Sequence, residues 1–196
     1  MLKNHSVVIL AAGKSSRMGN LKFLLKYNER FTFIEKIIDT YQNYNCKEIV
    51  VVLNKEGVCE FRNLQIKNMT NIKVVENKHL EYERFYSIKL GFNSINDKAN
   101  VFLQNSDNPF VIKELLQALC TNMKTYDFIK PNYKNKGGHP ILLSAKLVEL
   151  IKKEGKNDLN LKEYLKKFNG EKLKVNDKNI LININTVSDY DKLFGG

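Results

Sequence analysis

The 196-residue chain is poor in the residues that break or staple a fold, with 3 Pro, 10 Gly and 3 Cys. So little Pro and Gly excludes the collagen-like and low-complexity disordered classes. Cys46, Cys59 and Cys120 are odd in number and irregular in spacing, and no CxxC pair occurs. That excludes a zinc ribbon and a disulfide framework, and each cysteine reads as a small buried or half-buried hydrophobe. A reducing cytoplasm is the compartment expected. No window approaches the ~18 consecutive apolar residues of a membrane span. Met1 to His5 leads only into the short apolar stretch Ser6 to Ala12. With no long apolar region and no cleavage site after it, a buried strand is expected there and not a signal peptide. No Pro/Gly/Ser-rich linker, repeat or low-complexity block divides the chain.

Acidic residues are also short: 21 Asp+Glu stand against 32 Lys+Arg, a net charge of +11. Such an excess suits nucleic acid, an acidic membrane surface or a polyanionic small substrate. The basic residues are mostly scattered Lys. Their densest stretch, Lys146 to Lys174, alternates with Leu, Ile and Glu at helical spacing and reads as a solvated helix face. No basic stripe interleaved with aromatics appears, so neither nucleic acid nor a membrane is the expected partner. The abundance of Asn and Lys fits an AT-rich coding bias.

What remains is an ordinary globular composition, 43% hydrophobic and 27% charged. At ~150 residues per domain the length implies a single domain. A chain of this size buries roughly 70% of its unfolded surface and needs neither disulfide nor metal for its core. Continuous apolar runs at Ser6–Leu10, Glu48–Leu53, Ile72–Val75 and Asn100–Gln104 read as strands covered on both faces. Apolar residues at helical spacing mark Thr32–Tyr44, Glu83–Ile95 and Val111–Met123 between and after them. In the second half Asp127–Lys130, Pro140–Leu143, Lys172–Val175 and Ile180–Ile184 read as strands. Ala145–Lys153, Leu159–Phe168 and Ser188–Phe194 read as helices. The alternation implies an α/β fold with a mostly parallel sheet flanked by helices. Ligands on such sheets bind at the carboxyl ends of the strands, near a switch point.

After the first strand stands Leu10-Ala11-Ala12-Gly13-Lys14-Ser15-Ser16-Arg17-Met18-Gly19, then Lys22. Small residues let a backbone pass close to a ligand and let its N–H groups converge on an anion. Lys14, Arg17 and Lys22 bring positive charge to phosphates. It is not a P-loop, which needs Gly where Val8 stands, nor a GxGxxG fingerprint, whose first Gly is Ala11. A tight turn capped by Ser is the alternative. After the fourth strand, Asp107 in Asn105-Ser106-Asp107-Asn108-Pro109 suits a Mg²⁺ held mainly by substrate phosphates. It suits equally a helix N-cap with Pro109 in the first turn. After the last strand, Asn183 and Asn185 fall on one side by alternation. They could bind a ligand or complete a metal site, or Asn185 or Thr186 could cap the final helix. Gly137-Gly138-His139-Pro140 permits close approach of a substrate, with His139 as a donor to it or as a plain loop residue.

Together these segments resemble the MobA-like nucleotidyltransferases, nearest the molybdenum cofactor cytidylyltransferase branch. The resemblance rests on Leu10–Gly19 with Lys22, Ser87-Ile-Lys-Leu-Gly91, Asp107-Asn-Pro109, Gly138-His-Pro140 and Asn183-Ile-Asn-Thr-Val-Ser-Asp-Tyr190, in the family's order over nearly the whole chain. It implies one Rossmann-like (GT-A-like) nucleotidyltransferase domain over residues 1–196. Leu10, Ala11, Ala12, Gly13, Lys14 and Ser15 would bind the nucleotide, with Ala11 to Gly13 holding base and ribose through the backbone. Arg17 and Lys22 would hold the triphosphate and act in catalysis with Asp107, the Mg²⁺ ligand. Arg84 and Ser87 would contact a cytosine nucleotide, and His139 and Asn183 would lie on the acceptor side. Many relatives carry Asp-Ile-Asp-Thr where this chain has Asn183-Ile184-Asn185-Thr186, so Asn185 would be an uncharged metal ligand.

The reaction implied is attack by an acceptor phosphate on the α-phosphorus of CTP or another nucleoside triphosphate, releasing pyrophosphate. The acceptor would be molybdopterin or, alternatively, a sugar phosphate or phosphocholine-type compound. The enzyme would be a monomer or weak homodimer. Such a nucleophile is already an anion near neutral pH, so the lack of a Ser/His/Asp set is no objection. Bringing the reactants together in line can supply ~7–11 kcal/mol of the barrier. A non-catalytic nucleotide-binding protein on the same fold is the reading from another class.

Overall fold

In the computed structural model the described residues are 5–13, 21–66 and 68–195. Strands β1 (His5–Leu10), β2 (Ile49–Leu53), β3 (Ile72–Glu76) and β4 (Asn100–Asn105) pair in parallel in the order β3-β2-β1-β4. Their connections carry helices α1 (Phe33–Asn43), α2 (Lys55–Phe61) and α3 (Glu83–Asn93). After α4 (Lys113–Asn122) the sheet becomes mixed. β7 (Ile141–Leu143) runs antiparallel to both β4 and β5 (Phe128–Tyr133), the two-residue β6 (Lys136–Gly137) pairs antiparallel with the end of β5, and β8 (Gly170–Lys174) is parallel to β5. Helices α5 (Ala145–Lys153) and α6 (Leu161–Leu165) precede β8, and α7 (Val187–Phe194) ends the described chain. No helix among the described residues is long and apolar enough to cross a membrane.

Alternation along the strands explains the continuous apolar runs, because each face of the sheet is covered. Val7, Ile9 and Val51 pack with Ile34, Ile37 and Tyr41 of α1 and Leu116 and Leu119 of α4. Val8, Val50 and Val52 face the other way, onto Phe85, Ile88 and Phe92 of α3 and Leu147 and Ile151 of α5. Thr32 starts α1 with a capping box, its hydroxyl accepting from Glu35 N–H while the Glu35 carboxylate accepts from Thr32 N–H. The β5–β6 hairpin turns through Lys134 and Asn135, at φ 46° and 64°. Two successive left-handed residues are what a two-residue primed turn requires.

Cys59 is exposed, not buried or half-buried, and two expected elements also need correction. Ile180–Ile184 is not a strand: Lys178–Leu181 forms a 3-10 helix, started by the Asp177 side chain accepting from Asn179 N–H. Ile180 and Ile184 are buried, which produced the apolar signal, but the Ile180 carbonyl accepts from His139 N–H and not from a strand partner. The helix expected over Leu159–Phe168 starts only at Leu161, because the Asn160 side chain accepts from the N–H groups of Lys162 and Glu163 and so fixes the N-terminus there. Helix α2, capped by the Asn54 side chain on Gly57 N–H, had no periodic apolar signal to announce it.

Candidate active site

The carboxyl ends of the central pair β1 and β4 lie side by side, with Ser106 N–H donating to the Leu10 carbonyl (3.1 Å) and Ala11 N–H to the Val52 carbonyl (2.9 Å). The backbone leaving β1 therefore runs beside the segment leaving β4. Between them and α3 opens a cavity of about 400 Å³, whose lining includes Ala11, Gly13, Lys22, Arg84, Ser87 and Asp107. That size suits a small-molecule ligand. A Cβ placed on Gly13 would meet no heavy atom of the described residues within 4 Å, so they leave that position open. Leu10, Ala12, Asn77, Asn105 and Ser106 complete much of the wall. Lys14, Ser15 and Arg17 lie outside the described residues.

Asp107 does not cap a helix. Helix α4 begins only at Lys113, with Ile112 in the capping position and no side-chain cap. The Asp107 backbone carbonyl accepts from Ile184 N–H (2.9 Å), while its buried Oδ1 has no hydrogen-bond partner. Burial pushes the carboxyl above the usual carboxylate range, and the charges of Lys22 and Arg84 pull it back down. An orphaned carboxylate oxygen between two cations fits a hard divalent ion that arrives with its own oxygen ligands. No cluster of three or more Asp, Glu, His or Cys able to hold a metal by itself exists among the described residues. Asn185 is oriented for a different contact. Its Oδ1 accepts from Lys22 Nζ at 2.7 Å, tying the chain before α7 to the chain after β1. Thr186 makes the α7 capping box with Asp189, which leaves the Asn185 amide available to the lysine. Asn183 is exposed and donates to the Leu181 carbonyl (3.3 Å), away from the residues lining the cavity.

Arg84 and Ser87 stand one turn apart in the first turns of α3. The Ser87 hydroxyl accepts from Asn77 Nδ2 (2.8 Å), and the Asn77 Oδ1 accepts in turn from His79 N–H (2.8 Å). Arg84 Nη2 donates to Asn105 Oδ1 (3.0 Å), and Asn105 Nδ2 lies 3.1 Å from His139 Nε2. A guanidinium can only donate, so it fixes the orientation of the Asn105 amide, and the amide NH₂ then donates to His139. The imidazole is therefore neutral with its proton on Nδ1, a buried nitrogen without a partner. Burial and the charges of Arg84 and Lys130 hold the ring down to about 3, far below ordinary histidine.

Arg84 and His139 also line a second cavity of about 580 Å³, between the β5–β7 hairpin, β8 and α6. The glycines before His139 both line this cavity. A Cβ on Gly138 would stand 2.4 Å from the Ile180 carbonyl oxygen. The missing side chain there also admits the 3-10 helix. The sequence carries no sign of Asn77 or of the role of Asn105, although one stands just after β3 and the other closes β4, at strand ends like the other site residues.

The MobA-like NTP transferase domain model matches residues 7–172. The chain belongs to that family. A probable molybdenum cofactor guanylyltransferase of Natranaerobius thermophilus is 32% identical over 135 residues, 67% of this chain and 62% of that protein, so the match spans less than two thirds of its length. The molybdenum cofactor cytidylyltransferase of Escherichia coli K12 is 24% identical over 184 residues, 93% of this chain and 92% of that one. Among solved structures, Rv0371c of Mycobacterium tuberculosis H37Rv superposes with a TM-score of 0.82 at 20% identity, covering 98% of this chain and 99% of the other. A manganese complex of the same mycobacterial protein gives 0.77 at 18% identity, covering 98% and 99%. The fold is thus that of the nucleotidyltransferases, and the chain is a nucleotidyltransferase of this kind.

Proposed function

We propose that the enzyme transfers CMP from CTP to a phosphorylated small-molecule acceptor such as molybdopterin, releasing pyrophosphate. The observation that carries this reading is the meeting of Lys22, Arg84 and the orphaned Asp107 carboxylate around the open turn at Gly13. In this reading Leu10 to Ser15 hold the nucleotide, and Arg17 and Lys22 neutralise the triphosphate. Asn185 keeps the Lys22 ammonium in place through its amide oxygen. Asp107 holds Mg²⁺ together with the triphosphate oxygens; that cation, when bound, supplies charge neutralisation on the α-phosphoryl oxygens. A manganese complex of a structural relative is in keeping with a divalent ion.

The protein's own task is to place two anions in line and to stabilise the growing charge without moving. Arg84 stands on the wall shared by both cavities, so it can contact the nucleotide and the acceptor phosphate together. The neutral His139 takes no proton from the acceptor, because the attacking phosphate is already ionised. Arg84 and Ser87 read the cytosine edge, with Asn77 fixing the serine hydroxyl. The reading has the enzyme work in the cytoplasm as a monomer or weak homodimer.

The test is a pyrophosphate-release screen of the four nucleotides against phosphate acceptors including molybdopterin. CTP should give the highest kcat/KM. A clear GTP preference defeats the base assignment, and no release with any pair defeats the enzyme reading in favour of a non-catalytic nucleotide-binding protein.

A further inference from the structure

The second cavity carries a charge pattern that attack by a single phosphate leaves unexplained. Lys130 of β5 and Lys172 of β8 are direct register partners on adjacent parallel strands, and both side chains line the cavity. Like charges placed opposite each other destabilise a sheet. Lys162 of α6 faces the same space, and no Asp or Glu is among the lining residues described. Lys166, also in the lining, is paired with Glu163 at 2.6 Å, but Lys130, Lys162 and Lys172 have no ion pair among the described residues. Lys130 is held in place: a Cβ on Gly137 would come within 3.0 Å of its Cε, so the glycine leaves the room through which the lysine stem runs. Burial and the neighbouring charges of Lys172 and Lys162 lower the Lys130 ammonium from the ordinary lysine range. A cavity that gathers three repelling ammonium groups is built for an anion that the protein does not supply.

We propose that this cavity seats a second anionic group, a phosphate or carboxylate, carried by the acceptor in addition to the phosphate that attacks the nucleotide. The inference rests on the nucleotidyl-transfer reading, because Arg84 joins the two cavities and so marks where the attacking phosphate would lie. The acceptor class is then a phosphomonoester with a further acid group at its far end. Its distal acid would lie among Lys130, Lys162 and Lys172, and its apolar middle against Phe128 and Ile141.

Calorimetry on the full chain tests this, with the nucleotide cavity first filled by a non-hydrolysable CTP analogue and Mg²⁺. Inorganic phosphate, fructose 6-phosphate and fructose 1,6-bisphosphate are then titrated into the wild type and a Lys130→Met, Lys172→Met double variant. Phosphate should bind the wild type, and the variant should lose about tenfold in affinity or more. The bisphosphate should bind the wild type about tenfold more tightly than the monophosphate, and that advantage should vanish in the variant. Free of ligand, the double variant should melt at a higher temperature than the wild type, since the repulsion is gone. A merely structural role for these lysines predicts the opposite shift. Equal phosphate affinity in the two proteins, or no phosphate binding at all, overturns the proposal. Phosphate binding without any bisphosphate advantage also overturns it, since the site would then take a free anion. The analogue's own affinity is read first in the same experiment. Its failure to bind the wild type would count against the nucleotidyl-transfer reading itself.

Discussion

The two cavities meet at Arg84 but are built differently. The first is framed by backbone, with the turn after β1 and the ends of β1 and β4 fixed by sheet hydrogen bonds and one carboxylate set between cations. The second is framed by side chains from a hairpin, a short helix and an edge strand, with basic groups and no acidic ones among its described lining. The first therefore has its countercharge on both sides and suits a metal–triphosphate complex. The second has positive charge alone and suits an anion. On the proposed function, reaction belongs to one cavity and acceptor choice to the other, and substitutions should divide along that line.

The largest effect is expected at Gly13. A Cβ there meets no atom of the described residues within 4 Å, so Gly13→Val should leave the melting temperature near the wild type and abolish nucleotide binding by filling the space the ligand takes. Calorimetry with CTP and Mg²⁺ checks it; unchanged affinity would mean that the turn does not approach the nucleotide. Asp107→Ala comes next. Loss of the only carboxylate among the described residues lining this cavity should lower turnover by about 100-fold or more at saturating nucleotide and Mg²⁺. Its orphaned Oδ1 is stabilised by no hydrogen bond, so thermal stability should stay level or rise. Pyrophosphate release and a thermal melt on one preparation decide between a reactive and a structural Asp107.

The first cavity was also the more legible in the sequence, for a physical reason. Residues at the carboxyl end of a buried strand are positioned by the strand, and Val8, Val50 and Leu103 announce such strands by being wholly apolar. Ala11 and Asp107 could therefore be placed without coordinates, and Lys22 as a basic residue following the turn, whereas Arg84 and Ser87 entered only through the family resemblance. Asn105 was in view but its role was not, because an amide's partners across the chain leave no local mark. The second cavity depends on the register of β5 against β8, which brings Lys130 beside Lys172 over 42 positions of sequence. Read along the chain, Lys172 belongs to a solvated basic stretch and Lys130 to the end of a separate strand. The supposed strand at Ile180–Ile184 misled for a related reason, since burial of two isoleucines resembles a strand when the partner that accepts their backbone is unknown.

Gly138→Ala should separate packing from ligand contact. Its Cβ would stand 2.4 Å from the Ile180 carbonyl oxygen, a backbone atom that also accepts from His139 N–H and Asn108 Nδ2. Forcing that hub apart should cost about 2 kcal/mol of stability in a denaturant titration. Nucleotide affinity of the folded protein should hold, because the first cavity does not include this glycine. A stable Gly138→Ala with weakened acceptor binding would instead place the glycine against the substrate.

The smallest effect is a pH dependence centred on His139, which lines the second cavity and meets the first through Asn105. Its folded value of about 3 lies far below the ordinary 6.5, through burial first and then the charges of Arg84 and Lys130. Between those limits the unfolded chain binds a proton that the folded ring refuses. Stability therefore falls as pH drops below 6.5 and continues to fall toward the folded value. Carried down to about pH 5, this one group should remove about 2 kcal/mol. His139→Gln keeps an acceptor for Asn105 Nδ2 and cannot titrate, so its stability curve should be flatter than the wild type by that amount on the acid side. The two should run parallel above neutrality. Denaturant titrations of both proteins across the range give the difference directly, with the shared carboxylates cancelling. Parallel curves throughout would mean that the folded imidazole takes up its proton over the same pH range as the unfolded one. Once protonated, its Nε2 could not accept from Asn105, and the chain from Arg84 through Asn105 to His139 that links the two cavities would be broken.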